Sequence, residues 1–561
     1  MEAVEIANTA INGTPPDLFG YLDYLVFTAI LLISGAIGLF YWCLGEQSTK
    51  DFLMGGRKMG RFPVAVSLLA AFCSPVALLG IPAEIYSNGT LYALTVPSYI
   101  LVAIVTAYFY QPVFYNLQLT SVNEVRLENT PIHGAPRNIV TYMATVVYVP
   151  AWALSEVTGI YFYFCVAAIF SIVVVYTVMG GIKSVVWTNV VQMGVVFAVM
   201  IAIVVKGFID FDGGFAPLSF LFRPSFGLDP RTRHSIWGLW IGAFFMWLSI
   251  FGVNQVQVAI LANSLGFVVI LAVTCLAGLL INSKYSECDP IESKRVKTTD
   301  QLLPIFIIDT FGEKPGFLGL FVAAIFSGAL SIVSSGLHSL ATTTLEDYVK
   351  YFHPIIHDQT ATKAVKISVL VYGLLSLGLV IVADQSGGIS HLSLNILGII
   401  GGPLLGVFTL GMFFPWCNSI GASFGMLASL GIMSWLGIGT SLATSRGQLV
   451  KSSLDVSGGI LEFYKISYLW YSLMGTVIAI VVGLLISFLS GKQDPSKLER
   501  NLISPPVDKF VKNYISSNIR ARIGWDLGSH VEDHANYERN TTYGKLVVYK
   551  GTKELQQVQA S

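Results

Sequence analysis

Long apolar runs separated by short polar stretches fill most of the chain, and each is near the ~20 residues that a bilayer-crossing helix needs. Thirteen are read, beginning with Tyr21–Cys43, Phe62–Tyr86, Leu91–Tyr115, Ile139–Val157, Tyr161–Met179 and Val185–Val205. Then come Ser235–Val253, Ala259–Ile281, Gly316–Thr344, Val365–Ala383, Ile389–Phe413, Trp416–Leu436 and Tyr464–Leu489. The pattern predicts an all-α membrane protein of about 13 transmembrane helices. Residues 1–20 form a polar leading tail, 21–489 the membrane domain, and 490–561 a solvated tail of mixed charge.

Two of the runs depart from a plain apolar helix. Phe62–Tyr86 reads FPVAVSLLAAFCSPVALLGIPAEIY, with Pro75 in its middle and Gly80 and Pro82 close behind. A proline inside a helix removes a donor and frees a carbonyl. In hydrocarbon a freed carbonyl is tolerated only where it is buried in protein or lines a cavity. This stretch is therefore expected to be a broken helix whose carbonyls and half-helix ends serve a small cation or polar solute. Gly316–Thr344 carries Ser327, Ser331, Ser334, Ser335 and Ser339. Ser327, Ser331, Ser334 and His338 follow steps of four, three and four, which places them near one face. Such a stripe serves either close helix packing or an ion path built from neutral oxygens.

Composition narrows the class. The chain is 54% hydrophobic and 12% charged, against roughly 25% charged residues in soluble domains. Its net charge of +0 implies no nucleic-acid partner, and no obligate protein partner is evident. Six cysteines occur without a CxxC or Cys/His spacing, so no resident metal or redox centre is implied. There is no nucleotide-binding motif, and the acids nearest the spans, Asp23, Glu84 and Glu156, read as interfacial. No catalytic Ser/His/acid set stands out, which argues against an intramembrane enzyme. Loop 44–61 carries Lys50, Arg57, Lys58 and Arg61, whereas the first twenty residues carry no base. The positive-inside rule then puts the N-terminus outside the cell and the C-terminal tail in the cytoplasm. Asn12-Gly-Thr is a glycosylation sequon on the outer tail.

Several motifs carry a resemblance. They are Asp51-Phe-Leu-Met-Gly-Gly-Arg57, the broken stretch itself, and Val175-Tyr-Thr-Val-Met-Gly-Gly-Ile-Lys183 with Trp187-Thr-Asn-Val-Val-Gln192. Phe251-Gly-Val-Asn-Gln-Val-Gln257 and Ala341-Thr-Thr-Thr-Leu-Glu-Asp347 complete the set. Over Tyr21 to Leu489 the chain resembles the sodium:solute symporter family. It looks most like the branch of the sodium-coupled monocarboxylate and multivitamin transporters and the iodide symporter. It looks less like the sugar branch, since Ala77 stands where sugar transporters carry a histidine.

The resemblance implies two five-helix inverted repeats with broken first helices, spans two to six and seven to eleven. It also implies alternating access around a midplane site in the plasma membrane. By the same likeness sodium, the co-transported ion, sits between the broken helix and the serine helix. Matched motifs place its ligands at Ala70, Cys73, Gly328 and Ser331. The fifth position, Ile332, has no hydroxyl where the family usually has one, so sodium binding is weakened, the ligand shifts to Ser335 or Ser334, or the coupling is altered. Residues expected to face the solute are Phe72, Ser74, Pro75, Trp247, Asn254, Gln255, Ser334 and Ser335. Two segments, near 125–138 and 257–262, look shorter than the family's. The expected activity is sodium-coupled uptake of a small organic anion, either a monocarboxylate or a vitamin such as biotin or pantothenate. The alternative is a non-transporting solute sensor, or an inactive or truncated isoform, that keeps the symporter fold.

Overall fold

The computed structural model describes residues 19–45, 48–57, 59–117, 147, 151, 154–155, 160–210, 229–232, 234–252, 260–296, 299–353, 356–385, 390–445, 461–495, 498, 502–523 and 525. These residues are helical or lie in turns and connections, with no strand among them. The helices are α1 Tyr21–Leu44, α2 Thr49–Met54, α3 Arg61–Phe72, α4 Pro75–Asn88, α5 Thr90–Tyr115, α6 Phe162–Ile209, α7 Gly238–Phe251 and α8 Ile260–Lys284. Then follow α9 Leu302–Phe311, α10 Phe317–Thr343, α11 Asp358–Gln385, α12 Ser390–Phe413, α13 Ser419–Ser445, α14 Tyr468–Leu489, α15 Pro505–Tyr514 and α16 Ser517–Ile523.

Among the described residues, eight helices are long and apolar enough to cross a bilayer, and the bent pair α3 and α4 makes a ninth. One of the eight, α6, has 48 residues, far more than the ~20 that a bilayer takes. Gly181 divides it, at φ 56° and ψ −152°, a conformation open essentially to glycine alone. The two predicted spans Tyr161–Met179 and Val185–Val205 are thus one element folded at a glycine. The predicted span Ile139–Val157 lies almost wholly outside the described residues. So do Asn12 and the expected short segment at 125–138, whereas the one at 257–262 runs into the start of α8 at Ile260.

α10 sits at the centre. Ala323, Leu330, Ser331, Val333, Ser334 and Leu337 on it are all buried, and α6, α1, α3 and α11 pack around it. On the far side α12, α13 and α14 form a block joined almost backbone to backbone. A methyl on Gly402 would stand 2.6 Å from the Ser472 carbonyl, and one on Gly425 would stand 2.5 Å from the Ala479 carbonyl. Thr476 Oγ1 donates to the Gly402 carbonyl at 3.0 Å, and Ser429 Oγ donates to the Gly475 carbonyl at 2.6 Å. Lipid tails give apolar helices no reason to associate, so close approach and short hydrogen bonds hold such a seam together.

The C-terminal tail corrects its prediction as solvated throughout. α15 begins after Ser504, with Pro505 and Pro506 in its first turn, where a missing N–H costs nothing. Ile503, Val511 and Trp525 form a small core with Trp416, Val507 and Ile515. Backbone bonds from Ser504 to Met412 (3.0 Å) and from Gln493 to Trp416 (3.1 Å) fasten the segment to the end of α12.

Candidate functional site

The broken helix interrupts at Cys73 and Ser74, between α3 and α4, and the two halves bend by 56°. Pro75 opens the second half, and Pro82 and Gly80 lie inside α4. The break therefore falls just before the first of the three expected breakers, and the other two are absorbed. Cys73 N donates to the Leu69 and Ala70 carbonyls at 3.0 and 3.2 Å, and Ser74 N donates to the Phe72 carbonyl at 3.0 Å. This tight last turn leaves the negative end of α3 facing α10.

The four residues expected to hold sodium meet at that point. Ser331 Oγ lies 2.9 Å from the Ala70 carbonyl oxygen and 3.0 Å from that of Gly328. A methyl on Gly328 would stand 3.1 Å from the Cys73 carbonyl and 3.4 Å from Pro75, so a side chain there would crowd the carbonyl. Three carbonyls and one hydroxyl, all from buried residues, converge without a formal charge. Such neutral hard oxygens suit a hard cation. Ile332 is buried against Ala329 and adds no oxygen.

Ser334 and Ser335 are drawn to another partner, Asn189 of α6. Asn189 is fully buried, and its Nδ2 donates to Ser67 Oγ at 2.9 Å and Ser335 Oγ at 3.1 Å. Ser334 Oγ donates to the Ser331 carbonyl at 3.1 Å. One turn further, His338 Nε2 lies 3.1 Å from the Leu53 carbonyl. Beyond it Asp51 pairs with Lys183 at 2.7 Å. Polar groups thus continue from the junction toward the end that carries Asp51. Asn189 had been quoted within a motif but given no role. What reveals it is the depth at which the amide is buried, a three-dimensional fact.

Phe72, at the end of α3, joins an aromatic group with Trp247, Phe251, Phe267 and Tyr99. Its ring lies 5.0 Å from that of Phe251, and those of Tyr99 and Trp247 are 4.5 Å apart. The Trp247 indole N–H is buried with no hydrogen-bond partner among the described residues. Ser74 and Pro75 are buried beside the break. Asn254 and Gln255 lie outside the described residues.

The other end carries polar pairs that sequence reasoning missed. Glu84 Oε1 lies 3.0 Å from the buried His234 Nε2 and accepts from Asn88 Nδ2 at 3.0 Å. Arg231 pairs with Glu462 at 2.7 Å, which ties the segment before α7 to the one before α14. Ser467 N donates to the Pro230 carbonyl across the same gap at 3.0 Å. These acids lie far apart in sequence from their partners, so no local pattern announces them. Asp23, expected at an interface, is buried.

Residues 52–220 and 240–429 match the sodium:solute symporter family. The chain is 35% identical to the sodium-coupled monocarboxylate transporter 1 of Xenopus laevis, over 84% of this chain and 86% of that protein. It is 36% identical to the sodium-dependent multivitamin transporter of Oryctolagus cuniculus, over 84% and 83% respectively. The comparison with the frog protein runs over 538 positions yet takes up 84% of this chain, so dozens of those positions have no counterpart here. Among solved structures, a Na+-coupled sialic acid symporter in a substrate-bound outward-open state shares the fold. It has a TM-score of 0.66 and 22% identity, and the match covers 84% of this chain and 99% of that one. Motifs, relatives along most of the length and a common architecture lead to one conclusion: the chain belongs to the sodium:solute symporter family.

Proposed function

We propose that this chain couples the inward movement of sodium to uptake of a small monocarboxylate across the plasma membrane by alternating access. As a family member it is a sodium-coupled transporter and not an enzyme, with Na+ as the co-transported ion. The observation that carries the reading is the junction of α3 and α10, where the Ala70, Cys73 and Gly328 carbonyls and the Ser331 hydroxyl converge. A cation bound there would hold the broken helix against the serine helix, and its loss would free them to part. The aromatic group next to the break supplies an apolar lining, and the Trp247 N–H is a donor for a carboxylate oxygen. A vitamin carboxylate such as biotin or pantothenate would present the same group with a longer body. The N-terminus would lie outside, with Asn12 open to glycosylation, and the end carrying Asp51 and Lys183 would face the cytoplasm.

Uptake of labelled lactate, biotin and iodide into cells expressing the chain, in sodium and in choline, tests this. Sodium-dependent lactate uptake is expected. Protein at the cell surface that moves none of the three would favour the second reading, a sensor that binds solute without net flux. Ile332, apolar and buried where the family usually has a hydroxyl, is the observation behind that alternative.

A further inference from the structure

α15 presents three different faces. At 100° per residue, Val507 and Val511 fall on one line, and both pack toward Trp416. Phe510 and Tyr514 lie on the flank of that line, and Lys509 and Asn513 lie opposite it. The flank is apolar yet uncovered. Phe510 is 59% exposed, Tyr514 is 78% exposed, and their rings are 5.0 Å apart. Ile519 on α16 is 52% exposed as well. The helix cannot drift away from the membrane domain, because Ser504 and Gln493 bond to backbone at the end of α12. It also lies against the Thr106–Tyr110 turn of α5, on which Tyr108 is 65% exposed.

We infer that α15 and α16 form a clip that rests on the bilayer, with Phe510, Tyr514 and Ile519 in the headgroup boundary and Lys509, which is exposed, on anionic lipid phosphates. The commitment to an anionic surface comes from charge. Asp508, the acid of α15, is buried and pairs with Lys512 at 2.9 Å, so the exposed charge of the clip is positive. Aromatic residues beside lysines on a short amphipathic helix suit an interfacial position. Each base near an anionic leaflet adds attraction that salt screens. The inference rests on the cytoplasmic orientation proposed for this end, because the inner leaflet holds the anionic lipid.

The test uses the full chain in nanodiscs, with a photoreactive phenylalanine analogue at position 510 in one variant and at 513 in another. In phosphatidylcholine alone, position 510 should give several times more phospholipid adducts than position 513. Adding phosphatidylserine should raise the yield at 510 roughly fivefold, and Lys509→Glu should cancel that rise. Hydrogen exchange over 505–523 supplies an independent readout, with protection expected in both lipids. Equal yields at 510 and 513 would overturn the inference. So would adducts to a second copy of the chain, or an unprotected α15 in both lipids.

Discussion

The Asp23 carboxylate accepts the backbone N–H of Gly319 at 2.8 Å through one oxygen and that of Gly20 at 3.0 Å through the other. Gly319 is the third residue of α10, so the start of the first span caps the helix that carries Ser331. A carboxylate at a helix N-terminus is favoured by the partial positive charge there. No methyl could stand on Gly319, because it would collide with the Asp23 carbonyl. The cap therefore comes from another span, and it fixes where α10 begins.

Asp23→Ala should leave the buried Gly319 N–H unpaired, at about 1–3 kcal/mol, and release that of the exposed Gly20 to water. The melting temperature of the purified protein in nanodiscs should fall clearly, and Asp23→Asn should fall less because one acceptor oxygen remains. An Asp23→Ala protein that melts with the parent would remove the cap from the account.

Ser331→Ala should raise the sodium concentration for half-maximal uptake about tenfold, as loss of one charge-assisted contact implies. Gly328→Ala should do more, since its methyl would stand 3.1 Å from the Cys73 carbonyl. Ile332→Ser should act in the opposite direction by adding an oxygen beside the junction. Sodium titrations of uptake, normalised to protein at the cell surface, check all three. Unchanged sodium dependence in Ser331→Ala would place the ion elsewhere.

The Arg231–Glu462 tie should hold across the whole physiological pH range. Hydrogen bonds from Lys465 and Arg231 hold the Glu462 carboxyl below its ordinary value, and Arg231 does the same to Asp229. Lowered folded-state values mean that the contribution is complete above the ordinary carboxylate range and is lost as pH falls through the lowered values. The protection of the 461–470 amides relative to their intrinsic exchange rates should thus be level between about pH 5.5 and 8 and fall only in stronger acid. Glu462→Gln should exchange faster already at neutral pH.

Gly181→Ala should abolish folding rather than weaken transport. Its backbone conformation excludes side chains, and a methyl would stand 2.8 Å from the Phe52 carbonyl. Surface expression should drop to background, and normal expression would show that α6 can divide elsewhere.

What the sequence could and could not show follows the range of the forces involved. Apolar runs act locally, so most spans were legible, and so was the serine stripe. Prolines are local as well, yet the break fell at Cys73–Ser74 because Pro75 is well placed as the first residue of a new helix, where its missing donor is not needed. The four expected sodium residues were reached through matched motifs, and the structure brings them together. Asn189, Tyr99, Phe267 and the Glu84–His234 pair escaped because each is defined by a neighbour distant in sequence. α15 escaped because its charge masked its patterning, although Ser504 followed by two prolines is a helix-start signal.

The seam between α12, α13 and α14 sorts the mutations this region can accept. Outward-facing positions such as Phe424, Leu427, Val481 and Leu485 are about half exposed or more, and any apolar side chain of similar reach would serve a lipid-facing surface there. At Gly402, Gly421, Gly425 and Gly475 even the smallest side chain is a wedge that drives two backbones apart. A deep mutational survey of these spans would read as two superimposed patterns, permissive on one face and silent to every substitution on the other. The boundary between them would trace, residue by residue, the seam along which the three backbones touch.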